Sequence, residues 1–246
     1  FPPTPGSAER WNEGFEEGAH QAYTEYRGAA KIRTGLANRL AAFTGSPISS
    51  DNELIITPGT QGALFLALGA TVTNGTKVAV VEPDYFANRK LVKFFSGEIV
   101  PIPLHYQGST TENGPDLNRL EEAFKNGTQV LVFSTPNNPS GHVYSRNTIN
   151  AISTLADAYS VTVIVDQLYS RMLYSGETYT HLRAFEIRPK NLITIMGPSK
   201  TESLSGFRLG VAFGTSKLID RMERLQAIVS LRAAGYSQAA LDTWFL

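Results

Sequence analysis

Residues 195 to 210, IMGPSKTESLSGFRLG, leave an apolar run through Gly197 and Pro198, offer Lys200 beside Ser199, and place Arg208 a few residues on. An amine and a guanidinium in one small-residue turn could engage a carbonyl carbon and an anion. Taken alone, such a lysine is ordinarily a solvated surface charge. Four other stretches offer chemistry that would match it. TPGTQGAL (57–64) sets Gly59 before the amides of Thr60 and Gln61 at a helix start, where unpaired N–H groups and the helix dipole suit an anion. EPDYFANR (82–89) offers the flat face of Tyr85, and STPNNPSG (134–141) offers adjacent asparagine amides. VDQLY (165–169) closes an apolar run on Asp166, where a carboxylate is costly unless a cation faces it, and adds the phenol of Tyr169. Each stretch has an ordinary reading by itself: a helix start that binds nothing, a packed tyrosine, a turn, a helix N-cap.

The elements that must position these residues are legible in the same sequence. Short β-branched runs at 53–57, 77–82, 98–104, 129–135, 161–166, 192–197 and 208–214 alternate with helical stretches near 60–72, 86–95, 116–126 and 145–159, and another from about 215. Continuous rather than alternating apolar strands predict a sheet covered on both faces, and strand–helix alternation predicts mostly parallel pairing. Only a short turn separates the last two runs, so one of them is expected to be antiparallel to the rest. Residues 1–50 read as a helical segment with glycine breaks, in dimer or interdomain contacts, and 51–246 as the ligand-binding domain. The uncapped helix-like ending YSQAALDTWFL predicts further residues beyond Leu246.

Composition narrows the function. The 246 residues carry 22 basic and 22 acidic side chains, so no net field favours nucleic acid or an anionic membrane. There is no cysteine, which excludes disulfides and thiolate metal sites, and His20, His105, His142 and His181 lack metal-ligand spacing. No apolar stretch is long enough to span a bilayer, and the start FPPTPGSAERW has neither a basic nor an apolar signal region, from which a cytoplasmic location is expected.

In an open α/β sheet, ligands bind beyond the carboxyl ends of the strands, and the five stretches above fall there. Together they supply an anion cradle, an aromatic face, amide and phenol donors, an acid, and an amine with a guanidinium. That inventory suits pyridoxal 5′-phosphate, whose aldehyde needs a lysine, whose pyridine nitrogen needs an acid and whose phosphate needs amides and an arginine. The patterns of nucleotide-binding glycine loops are absent at Gly59.

The ordered set TPGTQGAL, EPDYFANR, STPNNPSG, VDQLY and GPSKTESLSGFRLG resembles the class I/II aminotransferases, the fold-type I pyridoxal-phosphate enzymes. The resemblance runs over roughly residues 20 to 246 and implies a three-layer α/β domain with a seven-stranded, mostly parallel sheet, one strand antiparallel, and a small C-terminal domain outside this sequence. It implies that Lys200 forms the Schiff base and then shuttles a proton, and that Asp166 pairs with the pyridinium nitrogen. Tyr169 and Asn138 would donate to the 3′-oxygen, and Tyr85 would stack on the ring. Gly59, Thr60 and Gln61 with Ser199 and Arg208 would hold the phosphate. Tyr26, in EYRGAA, would reach the phosphate of a neighbouring subunit's cofactor in a homodimer.

The implied reaction transfers an α-amino group between an amino acid and a 2-oxo acid. A pyridoxal-phosphate lyase, an aminocyclopropane-carboxylate-synthase-like enzyme and a non-catalytic ligand-sensing domain are the alternatives. Two positions depart from the family pattern. Many members carry a phosphate-binding serine three residues before the lysine, where this sequence has Gly197, and the residue after the aspartate is Gln167 rather than the frequent glutamate.

Overall fold

The β-branched runs form the strands expected of them. A computed structural model describes residues 2–18, 23–105 and 114–245; His20 lies outside the described residues. In chain order the elements are α1 (Ser7–Gly18), α2 (Ala30–Thr44), β1 (Leu54–Pro58), α3 (Gly59–Thr71), β2 (Lys77–Glu82), α4 (Phe86–Phe94), β3 (Glu98–His105), β4 (Gly114–Pro115) and α5 (Leu117–Lys125). They continue with β5 (Val130–Ser134), α6 (Arg146–Ala158), β6 (Thr162–Asp166), β7 (Leu192–Met196), β8 (Leu209–Gly214), α7 (Ser216–Val229) and α8 (Gly235–Gln238). The strands hydrogen-bond in the order β1-β8-β7-β6-β5-β2-β3-β4, a mixed and mostly parallel eight-stranded sheet. Strand β4 is the addition to the seven expected. It has two residues, Gly114 and Pro115, and pairs antiparallel with the end of β3, too short to leave any pattern in the sequence.

The chain divides into two units, 71–194 and 1–70 with 195–246. In the first of these, β2 runs parallel to both β3 and β5, and β5 runs parallel to β6 with Ser134 opposite Asp166. Parallel pairing gathers the carboxyl ends of these strands along one edge. The unit's core is Ala79, Val81, Ile102, Leu131, Phe133, Val163 and Val165 from the strands against Leu120, Phe124, Ile149 and Ile152 from α5 and α6. Both helices start on side-chain caps: Asp116 accepts from the amides of Asn118 and Arg119, and Ser145 from that of Thr148.

In the other unit, β1 and β8 pair antiparallel, with Pro58 opposite Leu209. The end of β1 therefore meets the start of β8, which brings the turn after Lys200 alongside the start of α3. Helix α2 sends Ile32, Leu36, Ala37 and Leu40 into a core with Ile56, Val211, Phe213 and Trp244, the spacing of one helical face. A buried Gln226 on α7 donates to the carbonyls of Tyr26 at 2.6 Å and Ile56 at 3.0 Å. Arg27 pairs with Asp220 and with Glu223, which anchors the N-terminal segment to the same helix. No helix among the described residues is long and apolar enough to cross a membrane.

Candidate active site

The residues of 1–70 and 195–246 form an anion cradle beside an amine. Gly59 opens α3 at φ +79°, and a Cβ there would stand 2.5 Å from Nη2 of Arg208. Only glycine allows both that backbone and that approach. Arg208 itself adopts a left-handed conformation, φ 53° and ψ 51°, and donates through Nη1 to the Ser205 carbonyl at 2.9 Å. A non-glycine residue in that region costs on the order of 1 kcal/mol, a local strain that turns the guanidinium toward the helix start. The first amides of α3 have no intrahelical acceptor, so cation and N–H groups converge where Thr60 and Gln61 begin the helix.

Lys200 lies in the turn that follows β7, with Ser199 half-buried beside it. It is exposed, and among the described residues its amine has no hydrogen-bond or ion-pair partner. The glycine at 197 has a steric cause. A Cβ there would sit 2.6 Å from Cγ2 of Thr60 and 3.2 Å from the Leu209 carbonyl oxygen. A serine at this position cannot enter while Thr60 holds the space. Tyr26, 41% exposed, lies under the guanidinium of Arg232 at 5.0 Å.

In the unit 71–194, the strand ends carry acidic and hydrogen-bonding side chains. Asp166 ends β6, half-buried, and one of its carboxylate oxygens accepts from the Leu168 amide at 2.9 Å. Desolvation pushes its pKa up from 3.8 to about 6, against that hydrogen bond. The helix-cap alternative does not apply, since residues 168–171 form turns rather than a helix. Tyr169 has its pKa raised by burial first, then by Asp166 and Tyr85, which puts these three side chains in one electrostatic neighbourhood. Tyr85 precedes α4, and Asn138 donates its backbone N–H to the Ser134 hydroxyl at 3.1 Å.

Tyr179 and Asp84 here went unmarked in the sequence, while Gln167, which departs from the family pattern, finds a partner in His181. Tyr179 donates to the Thr135 carbonyl at 2.9 Å, and its pKa is driven well above 10 by burial and then by Asp166. Buried Gln167 meets Nδ1 of His181 at 3.0 Å, and burial drops that imidazole to about 4, so it is neutral at physiological pH. Asp84, next to Tyr85, is pushed up to about 7, chiefly by desolvation. Asp84 lacks the signal that marked Asp166, since Glu82 ends the apolar strand and Pro83 stands between it and Asp84. Among the described residues no cluster of three or more His, Cys, Asp or Glu could hold a metal ion.

Within one unit a strained arginine at a helix start suits an anionic group, and within the other an acid deprived of solvent at a strand end suits a cationic one. Pyridoxal phosphate carries groups of both kinds. The chain belongs to the aminotransferase class I and II family, whose family model matches residues 7–245.

Among its relatives, the putative aminotransferase YugH of Bacillus subtilis is 31% identical over 92% of this chain and 58% of its own. The aspartate aminotransferase of Sulfolobus acidocaldarius is 29% identical over 93% and 56% respectively. An aspartate aminotransferase from Rhodobacter sphaeroides superposes with a TM-score of 0.96 at 62% identity, over 99% of this chain and 63% of that one. The chain thus spans somewhat over half the length of the relatives it matches.

Proposed function

We propose that the protein transfers the α-amino group of an amino acid to a 2-oxo acid with pyridoxal 5′-phosphate, and that L-aspartate is a preferred donor. The single observation that carries the cofactor is Asp166: a carboxylate at a strand end, held by one backbone amide and desolvated enough to titrate near about 6. Such a group is stabilised by an opposing cation, and a pyridinium N–H⁺ is one. The choice of aspartate rests on the 62% identity to an aspartate aminotransferase.

When bound, pyridoxal phosphate supplies an aldehyde that captures amines and a protonated ring that accepts the electrons of a substrate carbanion. The chain's own residues do the rest. Asp166 keeps the ring nitrogen protonated. Tyr169 and Asn138 donate to the 3′-oxygen, and Tyr85 covers the ring face. Gly59, Thr60 and Gln61, with Ser199 and Arg208, bind the phosphate. The Lys200 amine would hold the cofactor's aldehyde carbon and would take the proton from the substrate Cα; positioned proton transfer of this kind contributes about 10²–10⁴-fold. Tyr26 reaches the cofactor phosphate of a second copy, in a homodimer. The division into a helical segment, 1–50, and a cofactor-binding domain, 51–246, is part of the same reading.

The test is to supply the whole protein with pyridoxal phosphate, L-aspartate and 2-oxoglutarate and follow oxaloacetate. Formation of oxaloacetate with stoichiometric glutamate is expected. Release of ammonia instead would assign a lyase, and no amino transfer from any of the common amino acids would remove the reading.

A further inference from the structure

Asp84 has no role in the chemistry above, yet it ties together the two loops that carry Tyr85 and Asn138. It lies just past β2, and its carboxylate is the acceptor for three donors. Oδ2 receives the Ser134 backbone N–H at 2.8 Å. Oδ1 receives the Ser134 hydroxyl at 2.5 Å and the Tyr85 backbone N–H at 2.6 Å. The Ser134 hydroxyl oxygen in turn receives the Asn138 backbone N–H at 3.1 Å. A parallel tie runs from Nδ2 of Asn137 to the Pro83 carbonyl at 3.1 Å.

The direction of this chain of hydrogen bonds is set by charge. An ionised carboxylate can only accept, so the Ser134 O–H must point at Asp84, and its lone pairs then face the Asn138 amide. Charge-assisted bonds of this kind are about twice as strong as neutral ones. Asparagine at 84 would present an NH₂ to the Ser134 backbone N–H in one orientation, and to both the Ser134 hydroxyl and the Tyr85 N–H in the other. The ionisable groups electrostatically coupled to Asp84 are Asp166, which disfavours its charge, and Tyr144, whose own pKa Asp84 raises. With burial dominant, Asp84 reaches about 7 and gains its charge in the physiological range.

We propose that Asp84 is a positioning residue for the cofactor ring: through Ser134 it fixes Asn138, and through its direct bond it fixes Tyr85. The proposal rests on the pyridoxal-phosphate reading above. It predicts that the ring's two neighbours are held best when Asp84 is ionised, above a pH of about 7.

The test uses the whole protein and its Asp84→Asn, Ser134→Ala and doubly substituted variants. Cofactor affinity is measured by titrating pyridoxal phosphate and following the visible band of the bound cofactor from about pH 6 to 9. Wild type should bind more tightly as pH rises through about 7. Asp84→Asn should bind about ten- to a hundredfold more weakly at pH 8, the loss of one or more charge-assisted bonds, and should lack the upper pH step. Ser134→Ala should weaken binding in the same direction, and the double variant should be no weaker than Asp84→Asn, because both changes cut one path. Equal affinity and an unchanged pH profile in both single variants would overturn the proposal, as would additive losses. If Asp84→Asn does not fold, the affinity and pH profile of Ser134→Ala decide. A wild type that gives no visible band with pyridoxal phosphate overturns the cofactor reading and the proposal with it; a normal wild type with indifferent variants overturns the proposal alone.

Discussion

Removing the charge of Asp166 should stabilise the protein when the cofactor is absent and weaken it when the cofactor is present. The carboxyl group is raised from 3.8 to about 6. The folded state therefore holds a proton that the unfolded state has released across that interval, and stability falls as pH rises from about 4 to about 6. At 1.36 kcal/mol per decade of proton affinity, Asp166 costs the cofactor-free fold roughly 3 kcal/mol at neutral pH. Asp166→Asn removes that cost. The difference in stability between variant and wild type should grow from near zero at about pH 4 to roughly 3 kcal/mol at pH 7, or about 6–12 °C in Tm for a chain of this size.

Asp84, raised to about 7, imposes a slope of the same sign on both proteins and largely cancels in the comparison. The assay is a thermal melt of the cofactor-free proteins at several pH values, repeated with pyridoxal phosphate. With the cofactor the order should reverse at pH 7, because a pyridinium opposite the wild-type carboxylate offsets the cost of its buried charge and has no such partner in the asparagine variant. A Tm difference independent of pH would refute the desolvation argument. Equal cofactor stabilisation of both proteins would refute the pairing of Asp166 with the ring nitrogen.

Two more outcomes follow from the cradle. Gly197→Ser should cost about 1–3 kcal/mol by overpacking against Thr60, measured by urea unfolding, and Thr60→Ala in the same chain should recover most of it, since the 2.6 Å contact is with a Thr60 methyl. Lys200→Ala should lower amino transfer by at least about 10²-fold and abolish the covalent attachment of the cofactor seen by mass spectrometry after borohydride reduction, with the Tm of the cofactor-free protein within about 2 °C of wild type because the lysine is exposed.

The strands were legible because a parallel strand covered on both faces is written as an unbroken β-branched run, and VLVFS in β5 and LITIM in β7 are buried throughout. Strand β4 was not, since two residues carry no period. Lys200, Arg208, Asp166 and Tyr169 stood out because polar groups at the ends of apolar runs are few and each needs a reason. Asp84 did not, because it follows Glu82 and Pro83 beyond the end of the strand; what distinguishes it is its desolvation and its bonds to Ser134, fifty positions along the chain.

By its own order of residues the chain determined which elements form, where each strand ends, and which side chains stand at those ends, because these depend on neighbours a few positions apart. The tertiary structure decided the rest. It set Arg208 against Gly59 through the antiparallel register of β8 on β1, it forbade a serine at 197 by filling the space with Thr60, and it raised Asp84 and Asp166 by burying them. Register, steric exclusion and desolvation all depend on what lies across space from a residue, and a linear sequence names those partners without saying which of them will meet.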